Sequence, residues 1–252
     1  MEQNKVQATT GITFRILVAL SICHCLNDTL QSVISAVYPL FKEDLGLSFA
    51  QIGLITLVYQ SAASVCQPLT GLFFDKWPSA WSLPTGMSFT LVGLLSLAFA
   101  NTLPLVLSVA LVGIGSSVFH PEASRLTSLA SGGKRGLAQS LFQVGGNLGG
   151  SLGPLLAAVF VAPYGRRHIA LFTILAFTAI MVMIPVGHWY KSFLLRLRKA
   201  EGETLKTSVS RPLPMGKTVF SIAILLILIF SKYIYMASLN SYYTFYLIHK
   251  FG

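Results

Sequence analysis

The sequence predicts an all-α integral membrane protein: a bundle of six helices, a basic connection, and a seventh helix. Three observations carry this. Of the 252 residues, 54% are hydrophobic and 10% charged, where a soluble domain carries about 25% charged residues. Seven apolar stretches reach the roughly 20 residues that cross a hydrocarbon core as a helix. Several of them hold ionisable groups at mid-depth, which are costly in hydrocarbon and persist where they face a partner or a water-filled cavity.

The first span, 14–40, contains His24, Asn27, Asp28 and Gln31. It lacks a small-residue cleavage site behind a short apolar core, so it reads as a retained helix and not a signal peptide. The second covers 49–74, the third 82–101, the fourth 103–127, the fifth 137–161, the sixth 168–190 and the seventh 218–247. Connections are short except 191–217, which holds Lys191, Arg196, Arg198, Lys199, Lys206, Arg211 and Lys217. Its Arg211-Pro212-Leu213-Pro214 does not continue a helix cleanly. The expected organisation is a six-helix half over 1–190, a basic linker over 191–217, and over 218–252 the first helix of an incomplete second half. The chain stops at His249-Lys250-Phe251-Gly252, directly behind a span, and is expected to be cut from a longer protein.

The net charge of +10 is spread over short loops and forms no basic patch, which argues against a nucleic-acid partner. With the N-terminus inside, Lys5, Arg15, Lys76, Lys134, Arg135 and the seven linker cations fall on the cytoplasmic side. Lys42, Arg166, Arg167 and Lys250 fall opposite, and Arg125 and Lys232 lie within spans. The positive-inside rule therefore predicts a cytoplasmic N-terminus. Cys23, Cys25 and Cys66 sit in apolar spans without metal or redox spacing, so no metal, disulfide or cofactor is expected. No nucleotide-binding loop appears.

At 100° per residue, polar residues collect on faces. His24, Asn27, Asp28 and Gln31 form one stripe. Gln60, Ser64, Gln67 and Gly71 share a face of the second span. In the fifth, Gln139, Gln143, Asn147 and Ser151 make a polar stripe, while Gly145, Gly149, Gly153 and Ala157 recur every four residues on another side. Lys232, Tyr235, Tyr242, Tyr243 and Tyr246 gather on the seventh. Such stripes either line a common cavity or glue helices together by hydrogen bonds. Asp28 and Arg125, as ionisable groups at depth, favour the functional reading. Glu122 and Arg125, three residues apart, are expected to pair.

Two motifs mark helix ends and packing. Gly71-Leu72-Phe73-Phe74-Asp75-Lys76 closes the second span, and Gly145-x-x-x-Gly149-x-x-x-Gly153-Pro154 runs through the fifth. The first resembles the loop signature between helices two and three of the major facilitator superfamily, although Trp77-Pro78-Ser79 follows where that family usually has a glycine and further basic residues. The second resembles the glycine-proline motif of the superfamily's proton-coupled exporters, with Ala157-Ala158 in place of a final pair of glycines. The clusters Ser21 to Asp28, His120-Pro121-Glu122-Ala123-Ser124-Arg125, Ala130 to Gly149, and Ile229 to Tyr233 resemble the fosmidomycin-exporting branch of the superfamily in bacterial inner membranes.

That resemblance implies a transporter of two six-helix halves, of which this chain holds the first half and one more helix. It implies proton-driven efflux of a small anionic phosphonate by alternating access. The proton-coupling candidates are Asp28, His24, Glu122 and His120. The substrate-binding candidates are Arg125, Lys232, Asn27, Gln31, Gln143, Asn147, Tyr235 and Tyr242. The conformational motifs supply Gly71, Asp75, Lys76, Gly145, Gly149, Gly153 and Pro154. The expected partners are the lipid bilayer, a small-molecule substrate, protons, and a missing second half or another copy. Other readings are transport of a different small solute, or an inactive fragment. A membrane hydrolase is disfavoured because His120-Pro121-Glu122 lacks the HExxH spacing that puts two ligands on one helix face, so no enzyme activity is expected.

Overall fold

A computed structural model describes residues 13–203 and 215–251, the side chains of 102, 198–203, 233, 236–249 and 251 apart. These residues form helices and no strand. In chain order they are α1 (Phe14–Ala36), α2 (Tyr38–Leu45), α3 (Phe49–Lys76), α4 (Ser82–Phe99), α5 (Thr102–Ala130), α6 (Arg135–Phe160), a 3₁₀ segment (Arg166–Phe172), α7 (Thr173–Glu203) and α8 (Met215–Phe251). The chain divides into two units, Met1–Leu205 and Lys206–Gly252.

Local sequence sets the boundaries. The expected first span breaks at Val37 instead of running to residue 40, because Pro39, in the first turn of α2, has no N–H to donate to the Ser35 carbonyl and is tolerated only where a helix starts. Gly46, at φ 62°, closes α2 in the left-handed conformation, which suits a residue without Cβ. Ser48 and Gln51 make a reciprocal capping box at the start of α3. Inside α3, Ser61–Val65 is a π-helical turn. The first part of the expected linker, 191–203, continues α7 as helix. Its Leu, Arg, Lys and Ala are good helix formers, and no proline interrupts them. Residues 204–214, with the Arg-Pro-Leu-Pro run, lie outside the described residues.

Among the described residues, six helices are long and apolar enough to cross a membrane: Phe14–Ala36, Phe49–Lys76, Ser82–Phe99, Leu103–Ala130, Arg166–Leu197 and Met215–Lys232. The expected fifth span, α6, is not among them, because its glycines and its Gln139, Gln143, Asn147 stripe dilute its apolar character. It is nonetheless the principal neighbour of α1. The chain is a multi-pass membrane protein.

Within the first unit, α1 packs on α6, α7 and α5, while α4 packs on α5 and α7, and α3 lies against α5. The buried core includes Leu20, Leu30, Ile34, Met87, Leu94, Phe119 and Tyr190. Large apolar side chains such as Leu54, Leu57, Leu69, Leu107 and Phe177 are exposed, as expected of a surface that faces lipid. In hydrocarbon the burial of apolar area drives little, and close packing with interhelical hydrogen bonds does the work.

Glycine makes that close packing possible. A Cβ at Gly145 would run into the Ser21 carbonyl, at Gly149 into the Cys25 carbonyl, and at Gly153 into the Ser32 hydroxyl. The α1 and α6 backbones therefore touch along three turns. Hydrogen bonds cross the same seam, from Ser21 Oγ to the Leu141 carbonyl at 2.7 Å and from Ser32 Oγ to the Gly149 carbonyl at 3.3 Å. Gly86, Gly93 and Gly115 serve the α4–α5 crossing in the same way.

The unit has two ends. At one, the Thr13 N–H donates to the Ala130 carbonyl at 3.0 Å, tying the start of α1 to the end of α5. At the other, Arg166 bridges Asp44 at 3.4 Å and donates to the Ala100 carbonyl.

Gly149→Ala is expected to lower the midpoint of thermal unfolding in detergent by several degrees, corresponding to about 1–3 kcal/mol of overpacking. Gly136→Ala, where a Cβ meets nothing within 4 Å, should leave it unchanged or raise it. Fluorescence-monitored melts of the two variants check this.

Candidate functional site

His24 and Asp28 are four residues apart on α1, so they share a face one turn apart. His24 is 3% exposed. Its ring stacks on Phe142 at 3.9 Å between centroids and meets His120 edge-on at 5.3 Å. Its Nδ1 lies 2.8 Å from the Phe142 carbonyl, which only accepts, so Nδ1 carries a hydrogen. Its Nε2 lies 3.2 Å from Asp28 Oδ2. Two lone pairs would repel there. The contact is favourable only when one proton lies between them, as imidazolium with carboxylate or as imidazole with carboxylic acid.

The other carboxylate oxygen is held differently. Asp28 Oδ1 accepts from the Asn27 amide at 3.1 Å and from the Gln31 amide at 3.4 Å. Gln31 is oriented by its own oxygen, which accepts from Tyr59 Oη at 3.0 Å and from Ser116 Oγ at 3.1 Å. His120 Nε2 lies 3.7 Å from Asp28 Oδ1 and faces the Gln31 and Asn27 amide nitrogens at 3.3 and 3.5 Å, an acceptor's surroundings. The cluster opens on a cavity of about 280 Å³, lined by Asp28, Gln31, Tyr38, Thr56, Tyr59 and His120 among others.

His24, Asp28 and His120 bring three ligand atoms within 4.8 Å of one another, a spacing that a metal would accept. The amide N–H groups of Asn27 and Gln31 already point at two of them, however. As arranged, the donor set suits a proton better than a cation.

Glu122 and Arg125 form a second cluster. Glu122 is 1% exposed. Arg125 donates to it from Nε at 3.0 Å and from Nη2 at 2.9 Å, and Ser82 Oγ donates at 2.8 Å. The guanidinium lies over the Tyr190 ring, 5.2 Å from its centroid, a cation–π geometry. A cavity of about 460 Å³ adjoins, lined by Gly71, Asp75, Glu122, Ser124, Arg125 and Gln139 among others. Lys76 lies over the Trp77 ring at 4.6 Å. The clusters occupy separate cavities, so Glu122 does not join His24, Asp28 and His120, and the Arg125 fork is already engaged.

Of the remaining expected residues, Gln143 donates to Asn147 at 3.3 Å on an exposed face, in neither cluster. Lys232 and Tyr235 are exposed on α8, in the other unit. The side chain of Tyr242 lies outside the described residues. Gly145, Gly149 and Gly153 form the α1–α6 seam, and Pro154 sits inside α6. Gly149-Gly150-Ser151-Leu152-Gly153 also spells the GxSxG of a hydrolase elbow. It lies mid-helix, with Ser151 Oγ spent on the Asn147 carbonyl at 3.0 Å, and lacks the strand-to-helix turn that chemistry needs.

Sequence reasoning missed the Phe142 carbonyl, Gly146, Tyr59, Ser116, Ser82 and Tyr190. Tyr59 was within reach as the neighbour of the striped Gln60. The rest arrive from other helices or from backbone, where spacing gives no signal.

Residues 20–252 match the sequence profile of the Major Facilitator Superfamily. The chain belongs to that superfamily. Its sequence is 55% identical over 241 residues to the fosmidomycin resistance protein of Escherichia coli (strain K12), covering 95% of this chain and 58% of that protein. It is 39% identical over 209 residues to an uncharacterised MFS-type transporter of Bacillus subtilis (strain 168), covering 82% of this chain and 51% of that protein. The chain thus spans between half and three-fifths of the length of these relatives. Among solved structures it resembles a peptide transporter, POT, crystallised with sulfate, at TM-score 0.64 and 18% identity over 96% of this chain and 50% of the other. That likeness concerns the fold alone.

Glu122→Gln is expected to destabilise the unit by about 1–3 kcal/mol, because it leaves the Arg125 guanidinium without its carboxylate. Removing both charges, as Glu122→Gln with Arg125→Leu, should cost less than the sum of the single changes by more than about 0.5 kcal/mol. A double-mutant cycle from denaturant titrations in mixed micelles checks the coupling.

Proposed function

We propose that this chain is part of a proton-driven antiporter that exports a small anionic antibiotic, a fosmidomycin-like phosphonate, across the bacterial inner membrane. The observation that carries the reading is the His24–Asp28–His120 cluster, which sets two imidazoles and a carboxylate beside a polar cavity in a chain 55% identical to a fosmidomycin resistance protein. Asp28 with His24 is the proton carrier. His120, Gln31 and Asn27 stand where a solute entering the cavity meets the pair. Arg125 offers its fork to an anion once Glu122 gives it up. Lys232 and Tyr235 belong to the second unit.

The N-terminus lies in the cytoplasm, by the positive-inside count. The cavity of Asp28 then opens toward the outer end, and the cavity of Asp75 and Arg125 toward the cytoplasmic end. Alternating access rocks one half against the other, so that a central site opens to one end and then to the opposite one. The facing wall comes from a second half, supplied by a longer protein or another copy.

One observation favours a second reading, in which the solute is a different small polar molecule. The lining of the Asp28 cavity contains no Lys or Arg among the described residues, so this wall brings no permanent positive charge to a phosphonate.

Inverted membrane vesicles carrying the chain and energised by respiration test both. Wild type should accumulate labelled fosmidomycin, and Asp28→Asn should reduce accumulation at least ten-fold with unchanged membrane insertion. Equal uptake by the variant would sink the proton role. Proton release that is driven by neutral polar solutes and not by the phosphonate would favour the second reading.

A further inference from the structure

Four glycines of α6 face α1, and one of them differs from the rest. A Cβ at Gly145 or Gly149 would strike α1 backbone, and at Gly153 the Ser32 hydroxyl and nearby backbone. A Cβ at Gly146 would strike side chains of the proton cluster: His24 Cε1, His24 Nε2, and Asp28 Oδ2 at 2.9 Å. Gly145 and Gly149 thus set how closely the helices approach, while Gly146 lies directly over the line joining His24 to Asp28.

The rest of the enclosure comes from the same turn of α6. The Phe142 carbonyl takes the Nδ1 hydrogen, and the Phe142 ring covers one face of the imidazole. With Gly146 closing the edge at Cε1 and Nε2, His24 has no route to water of its own. Asp28, whose side chain is 24% exposed, reaches the cavity. The groups that titrate around His24 are Asp28 on its own helix and His120 from α5. From α6 the contacts are Phe142 and Gly146, neither of which titrates.

We propose that Gly146 is a positioning residue that holds His24 and Asp28 as one proton-sharing pair, with Asp28 as the port to the cavity and His24 as the store behind it. The empty place at 146 lets imidazole and carboxylate touch directly and leaves no room for a water between them. A methyl there displaces the ring or the carboxylate and breaks the shared position. This deepens the proton-carrier reading above and rests on it for its meaning in transport, but its test does not require transport.

The measurement is deuterium exchange at the imidazole C2 hydrogen, the one on Cε1, followed by mass spectrometry across a pH series on the purified full chain in detergent. It yields a titration midpoint and an exchange rate for each histidine. In wild type, His24 should exchange at least ten-fold more slowly than His120, because Gly146 and Phe142 shield Cε1. Equal rates would overturn the proposal without any variant being made. In Gly146→Ala the His24 midpoint should fall by about one pH unit, since losing the carboxylate contact disfavours the charged imidazole. Its exchange should also quicken. Asp28→Asn should produce a similar fall, and the double variant should fall no further than either single one. Gly136→Ala should change nothing. An unmoved His24 midpoint in Gly146→Ala would overturn the proposal, as would an equal fall in Gly149→Ala, which would make helix spacing the cause. Loss of transport with the midpoint shifts intact would support the pair, and loss of transport by every variant at wild-type midpoints would count against it. Should wild type show these midpoints yet move no solute, the transport reading fails and the positioning role stands.

Discussion

The contact of the α1 and α6 backbones is the constraint on which the rest of the first unit depends. In hydrocarbon, two helices gain little by hiding apolar surface from a solvent that is itself apolar, so attraction comes from atoms that approach closely. Side chains ordinarily keep helix axes about 8–10 Å apart. Glycines at 145, 149 and 153 remove that spacer, and hydroxyls of Ser21 and Ser32 then reach carbonyls across the seam. Close approach also brings the Phe142 carbonyl within reach of His24. A wider seam would leave that imidazole with neither its acceptor nor its neighbour at fixed distance.

The two polar clusters show how a membrane half-bundle tolerates charge. Around Asp28 the carboxylate is met by a histidine, two side-chain amides and an adjoining cavity. Around Glu122 it is met by a guanidinium, a hydroxyl and, through Arg125, an aromatic face. The first arrangement sets an imidazole nitrogen against a carboxylate oxygen, a contact that is favourable with one hydrogen between them. The second is built on a guanidinium, which does not give up its proton under working conditions. The same helix, α5, contributes His120 to one and Glu122 with Arg125 to the other, so two residues of sequence separate the two sites.

Much of this was legible from spacing alone. The stripe of His24, Asn27, Asp28 and Gln31 follows from intervals of three and four, and the Glu122–Arg125 pair follows from the same rule. The glycine period of α6 announced a close contact, though not its partner. What spacing cannot say is which way a polar stripe turns. Gln143 and Asn147 share a stripe on α6 and stand away from both clusters, bonded to each other on an exposed face. Gly146 sits beside Gly145 in sequence and does a different job, because 100° of rotation turns it from a backbone to a side-chain pair. Ser82 and Tyr190 lie on helices distant in sequence from Glu122 and Arg125, so only tertiary packing unites them. The break at Val37 was readable from Pro39, while the first cations of the basic connection continue α7 as helix.

The π-helical turn at Ser61–Val65 acts on α3 as a phase shift acts on a screw thread. An ordinary α-helix would carry Gln60, Ser64, Gln67 and Gly71 along one slowly drifting line. The widened turn advances the second arm relative to the first, so the two arms present different sides of the same cylinder. Tyr59 and Gln60 address the cavity of Asp28, and Gly71 and Asp75 address the cavity of Arg125. The join between the arms is seated against α5, where Gly113 leaves room for Ala62 and the Tyr59 carbonyl. A single-residue deletion within 61–65 would let the widened turn relax to a plain α turn with both arms in place, whereas the same deletion elsewhere in α3 would rotate one arm by about 100° off its wall. One continuous helix thereby serves two chambers whose walls need not turn together.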